Sequence, residues 1–164
     1  MSDSSKSINP FDLVLERIID VPVETVWRAW TEPERLKQWF TPRPWTTVDA
    51  RIDLRPGGMF RTVMQGPDGE TIDNAGCILE VVEGTRLVWT GALRPGFRPV
   101  HLDPAVPVFT ACIQMLPEGN GTRYIATAMH ADQDGRDKHD AMGFHHGWEA
   151  ALDQLVEVFA RADE

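Results

Sequence analysis

The stretch that most constrains this chain is Asp137–Phe159, about six helical turns with no proline inside. Ala141, Phe144, His145, Trp148, Ala151, Leu152, Leu155 and Phe159 recur there at three- and four-residue spacing, which makes one apolar stripe. Asp140, Glu149, Asp153 and Glu157 fall off the stripe and suit a solvated face. Gly143 and Gly147 lie beside it; they cost helix propensity but let a backbone or a ligand approach the helix axis. A helix patterned in this way has to lie across an apolar surface, with room beside its first half.

The rest of the chain supplies that surface. Phe11–Ile19 has the β-branched and aromatic content of a strand. Pro22 suits the start of a helix with Val23, Val26, Trp27 and Trp30 on its apolar face, and Pro33 starts a second short helix carrying Leu36, Trp39 and Phe40. From Trp45 the period becomes two, with Val48, Ala50, Ile52 and Leu54 alternating against Asp49, Arg51 and Asp53. Strands are expected there and at Met59–Gln65, Thr71–Val82, Arg86–Leu93, Val108–Leu116 and Thr122–His130. RPGG, GPDG, Glu83–Gly84 and Asn120–Gly121 are the turns between them, so the six runs form an antiparallel meander. The expectation is α+β: a curved antiparallel sheet of about seven strands wrapped around a long C-terminal helix, with two short helices after the first strand. Arg94–Pro107 breaks the pattern with four prolines and no periodicity, and reads equally as a surface excursion or as a lid.

With 164 residues the chain is expected to be a disordered, serine-rich leader over 1–10 and one domain over 11–162. A net charge of −9 argues against nucleic acid and anionic membrane surfaces as partners. No run has the length of a membrane span and no signal peptide is visible, which points to a cytoplasmic protein. Cys77 and Cys112 sit in strand-like runs without CxxC spacing and read as core thiols in a reducing compartment.

Four segments, VPVETVWRAWTEPERLKQWF, DLRPGGMFR, GTRYIATAMH and MGFHHGWEAALDQL, together resemble the SRPBCC (START-like, helix-grip) superfamily. Within it they are most similar to the branch named for the C-terminal domain of the heat-shock-protein ATPase activator, also called polyketide cyclase-like. The resemblance runs from about Phe11 to Phe159. It implies an apolar cavity between sheet and long helix, which in the superfamily takes lipids, polyketides or hormones. The proline-rich Arg94–Pro107 and the adjacent His145–His146 depart from the branch's pattern.

Candidate chemistry is sparse. Serine occurs only at positions 2, 4, 5 and 7, so a G-x-S-x-G elbow is ruled out. His139, His145 and His146 lack metal-ligand spacing, and neither a metal nor a cofactor is expected. Asp49, Asp53 and Glu80 read as solvated strand charges, and neither glycine turn opens a helix as a phosphate-cradling loop does. His130 ends the last strand near the start of the long helix, so His130 and His145 are the pair to carry any acid–base work. The aromatic set is the strongest signal, because tryptophan lines cavities well. The expected ligand-binding wall is Trp39, Phe40, Phe60, Met64, Trp89, Tyr124, His130, Phe144, His145, Gly147, Trp148 and Leu152.

Three readings follow. The leading one is binding of a small apolar or amphipathic molecule between sheet and helix, without established catalysis. The second is a polyketide cyclase- or dehydratase-like enzyme using histidine. The third is an interaction scaffold built on exposed tryptophans; a homodimer fits all three, and a chaperone partner is disfavoured.

Overall fold

The computed structural model describes residues 9–103, 105 and 108–162, and of 161 and 162 the backbone alone. Most of the expected leader therefore lies outside the described residues. The elements run β1 (Asp12–Ile19), α1 (Val23–Thr31), α2 (Pro33–Leu36), β2 (Thr46–Ile52), β3 (Met59–Gln65), β4 (Thr71–Val82) and β5 (Arg86–Thr90). There follow β6 (Leu93–Arg94), β7 (Arg98–Pro99), β8 (Thr110–Glu118), β9 (Gly121–Met129), α3 (Gln133–Ala141) and α4 (Phe144–Ala162). Seven strands make one antiparallel sheet in the order β1-β9-β8-β5-β4-β3-β2, so the meander closes back onto the first strand. The sheet curves around the C-terminal helix, as the α+β reading expected.

Alternation decides which side chains face the helix. On β9, Thr122, Tyr124, Ala126 and Ala128 are buried, and on β8 Ala111, Ile113 and Met115. They meet Leu13 and Leu15 of β1 and Leu152, Leu155 and Phe159 of α4 in one core. α1 buries Val26, Trp27, Ala29 and Trp30, and the indole N–H of Trp39 donates to the Ala29 carbonyl at 3.0 Å, which locks the segment after α2 onto α1.

The C-terminal half of α4 is fastened by more than apolar contact. Gln154 is buried; its amide nitrogen donates to the carbonyls of Trp39 and Thr41, each at 2.9 Å, and its oxygen accepts from the Arg43 backbone at 2.9 Å. Losing such a partner leaves buried polar groups unpaired, at about 1–3 kcal/mol each. The surface pairs Arg17–Asp153 and Arg43–Glu157 join the same half of the helix at 2.7 and 3.1 Å, and exposed pairs of this kind contribute little.

Three expectations need correction. The single helix over Asp137–Phe159 is two helices. Capped by Asp132, whose carboxylate accepts from the Gly135 N–H at 2.8 Å, α3 starts at Gln133, four residues before the expected Asp137, and the chain turns at Gly143, whose φ is +97°. The Gly143 carbonyl then accepts the first α4 bond from Gly147 at 2.8 Å. The run Arg86–Leu93 ends as a sheet strand at Thr90, and β6 pairs instead with β7 in a two-residue ribbon inside the proline-rich stretch. That ribbon rests on the RPGG turn, where the Gly96 N–H donates to the Gly57 carbonyl at 2.7 Å. Val48, expected on the buried face, is 46 % exposed because β2 bulges between Thr47 and Asp49, and Leu54 lies beyond the strand end.

The two helix glycines consequently have opposite roles. Neither has an atom within 4 Å of where a Cβ would sit, so crowding drops out of the comparison. Gly143→Ala is expected to destabilise by about 1–2 kcal/mol, the cost of a left-handed non-glycine residue. Gly147→Ala, inside α4, is expected to stabilise by roughly 0.5–1 kcal/mol. Urea unfolding midpoints check this; stabilisation by both changes would mean the helix does not break at Gly143.

Candidate functional site

Between the sheet and the two C-terminal helices lies a cavity of ≈ 530 Å³, within the range of small-molecule pockets. Its floor is the inward face of the sheet: Phe60, Thr62 and Met64 of β3, Ile72, Asn74 and Gly76 of β4, Trp89 of β5 and Tyr124 of β9. One side is Trp30 with Trp39, Phe40 and Pro42 from the segment after α2. The roof is His139, Met142, Gly143, Phe144, Gly147, Trp148 and Ala151, and Val108 and Phe109 close one end. Ile72 and Met142, 44 % and 71 % exposed, are apolar residues shared between this wall and solvent, which marks the mouth.

The wall is a nearly continuous belt of rings. Trp30 meets Trp39 edge-on at 5.1 Å between centroids, Phe60 stacks on Trp89 at 4.7 Å, and Trp89 leads through Phe109 at 5.7 Å to Trp148 at 6.0 Å. Each such pair contributes about 0.5–1.5 kcal/mol beyond burial, so rings holding one another in place resist collapse into the space between them. A second depression of ≈ 660 Å³ around the RPGG turn mixes Arg51, Asp53 and Arg55 with Phe97 and opens widely to solvent. It lacks an enclosed apolar wall, and the aromatic cavity is the candidate site.

Polar groups in the cavity wall are neutral and few. The Trp30 indole donates to the Tyr124 hydroxyl at 3.1 Å, and burial pushes the Tyr124 pKa well up, so the phenol stays protonated. Thr62 and Asn74 face each other across β3 and β4. The Trp89 indole nitrogen is buried with no hydrogen-bond partner among the described residues. His130 Nδ1 lies 2.8 Å from the Phe11 carbonyl, which only accepts, so that nitrogen carries a hydrogen. His130 Nε2 lies 2.9 Å from His139 Nδ1; with both rings neutral, His139 donates there and keeps a lone pair on Nε2. Burial, then the neighbouring His130, lowers the His139 pKa to about 4, while Phe109 stacks on its ring at 4.6 Å.

Of the twelve expected wall residues, Trp39, Phe40, Phe60, Met64, Trp89, Tyr124, Phe144, Gly147 and Trp148 do line the cavity. Leu152 is instead fully buried in the core beside Leu155. His130 is buried one residue behind the wall, and its partner is His139, not His145. His145 is exposed, as is His146, because the break at Gly143 restarts the helical phase; the expected pairing of His130 with His145 has no contact behind it. Trp30, Thr62, Ile72, Phe109 and His139 were not anticipated. Thr62 and Ile72 were available from strand alternation, two residues from Phe60 and two before Asn74, whereas His139 depends on the helix break. None of the six tryptophans is exposed, so a scaffold built on exposed tryptophans has no such surface here.

The depressed His139 pKa sets a pH dependence. Between about 6.5 and 4 the unfolded chain binds a proton at this ring that the folded chain does not, so stability falls as pH drops through that window. His139→Gln is expected to flatten the loss between pH 6.5 and 5, measured as thermal midpoint against pH. An unchanged slope would place the ring in solvent.

A family model described as Activator of Hsp90 ATPase homolog 1-like protein matches residues 20–160. No curated protein matches the chain. Among solved structures, a protein from Nitrosomonas europaea is 48 % identical, with a TM-score of 0.89 over 96 % of this chain and 99 % of that one. A Mycobacterium smegmatis protein is 27 % identical, with a TM-score of 0.74 over 93 % of this chain and 92 % of that one. A Rhodobacter sphaeroides protein at 23 % identity shares the fold, with a TM-score of 0.81 over 95 % and 97 %. No helix among the described residues is long and apolar enough to cross a membrane. The seven-stranded sheet gripping a C-terminal helix, the aromatic cavity and the match over most of the length agree: the chain belongs to the Activator of Hsp90 ATPase homolog 1-like family, with the SRPBCC helix-grip fold.

Proposed function

We propose that this protein binds a small apolar or amphipathic molecule in the cavity between the sheet and α4. The observation that carries the reading is the ring-lined space of ≈ 530 Å³, which no side chain among the described residues fills. Binding works by burial, at about 25 cal/mol for each Å² of apolar surface removed from water. Gly147 supplies room on the helix side, since nothing lies within 4 Å of its absent Cβ.

A second reading rests on the histidine pair. His139 brings a neutral imidazole to the cavity wall with a lone pair on Nε2 and is braced from behind by His130, as an acid–base residue requires. It supports a cyclase- or dehydratase-like reaction with His139 in the place given to His145. Its mark is turnover of a polyketide-like ketone that disappears in His139→Gln while binding persists; turnover retained by that variant contradicts it.

The binding reading is tested with N-phenyl-1-naphthylamine, a neutral probe whose emission rises in apolar surroundings. The wild-type protein is expected to bind it saturably. Gly147→Leu is expected to weaken binding by at least about tenfold with an unchanged circular dichroism spectrum. Equal binding by wild type and variant would put the probe elsewhere.

A further inference from the structure

We infer that the cavity receives an uncharged molecule carrying a hydrogen-bond acceptor, such as a ketone or an ester, and that the Tyr124 hydroxyl is the donor that meets it; this rests on the binding reading above. Two independent observations carry it. The first is the charge of the wall. In a chain of net charge −9, no lysine, arginine, aspartate or glutamate among the described residues lines the cavity. The ion pairs, such as Arg61–Asp73 and Arg86–Glu80, lie on more exposed surfaces. A buried carboxylate or ammonium needs a partner of opposite charge, and the wall offers none.

The second is the direction of the hydrogen bonds. Tyr124 is fully enclosed, and its oxygen accepts from the Trp30 indole, which leaves its own O–H hydrogen without a protein acceptor among the described residues. A hydroxyl with its lone pair engaged and its hydrogen free is a donor aimed at something absent from the chain. The buried Trp89 N–H, also without an acceptor, is a second unmet donor on the same wall. Unmet donors favour a molecule that brings oxygen lone pairs and oppose one that brings a cation. The aromatic belt that could hold a quaternary ammonium by its ring faces is therefore set for a neutral guest. The discrimination works as in any buried hydrogen-bonding site: a guest lacking the acceptor leaves the donor unpaired.

Three probes of similar shape test this: naphthalene, 2-acetonaphthone and 2-naphthoate at pH 7.5, titrated by quenching of tryptophan fluorescence. The ketone is expected to bind about five- to tenfold more tightly than naphthalene, and the carboxylate at least tenfold more weakly than the ketone. In Tyr124→Phe the preference for the ketone over naphthalene is expected to fall to about twofold or less, the remainder being what the Trp89 N–H still offers. Equal binding of ketone and naphthalene by the wild type, binding of the carboxylate as tight as the ketone, or a ketone preference undiminished in Tyr124→Phe each overturns the inference while leaving the binding reading in place. Failure of all three probes overturns both. Should Tyr124→Phe not fold, because it leaves the Trp30 indole without its acceptor, the wild-type series alone decides.

Discussion

The hydrogen-bonded attachment of α4 through its C-terminal half is the constraint on which the rest of this structure depends. Leu155 and Phe159 enter the core, the Arg35 guanidinium lies 5.5 Å over the Phe159 ring, and Gln154 ties the helix to the backbone around Trp39–Arg43 by three hydrogen bonds. At the other end no side-chain hydrogen bond among the described residues ties the helix down, and Phe144 is held by ring packing against His139. It begins at the left-handed Gly143 and presents Phe144, Gly147 and Trp148 to the cavity. A helix pinned at its C-terminal half, over a sheet that curves, leaves its N-terminal half standing off. The space between is then set by the rings that prop it open.

Those rings explain why the space persists. A lone aromatic in a gap would rotate to fill it, but Phe60 is held by Trp89, Trp30 by Trp39 and Tyr124, and Trp148 by Phe109 and Phe144. Interiors normally pack at crystal density, and an apolar void of this size forfeits dispersion contacts all round its lining. A guest that restored those contacts would recover what the empty wall lacks. The family membership fixes the architecture in which this happens, and the residues of the wall, more than the fold, choose the guest.

Much of this was legible in the sequence, and the misses have identifiable causes. Residue type put Phe60, Met64, Trp89 and Tyr124 among the candidates, and the strands turn all four to the face that lines the cavity, one of the only two faces a period of two offers. Turn chemistry at RPGG and GPDG fixed strand ends to the residue for β3 and for the start of β4. The helix break was invisible because Ala141, Phe144 and Trp148 keep helical spacing across Met142–Gly143, and a glycine in such a run signals lost propensity before it signals a reversal of φ. That one misreading carried the histidines with it. His145 turned outward and His139 inward once the phase restarted. Leu152 went to the core for a related reason: it lies beyond the point where α4 meets the sheet, and spacing along a helix does not tell where contact begins. The bulge at Val48 left no sequence signal, since a β-branched residue fits either face of a strand.

The most direct measurement of the central claim is a crystal structure determined under xenon pressure. Xenon enters dry, apolar cavities without needing a particular functional group, so it reports the space itself, independent of ligand identity. The account predicts ordered xenon between Phe60 and Trp89 on the sheet and Trp148 on α4, with the surrounding rings where they stand here. Side chains closed across that space, or a chain of ordered waters in place of xenon, would contradict it.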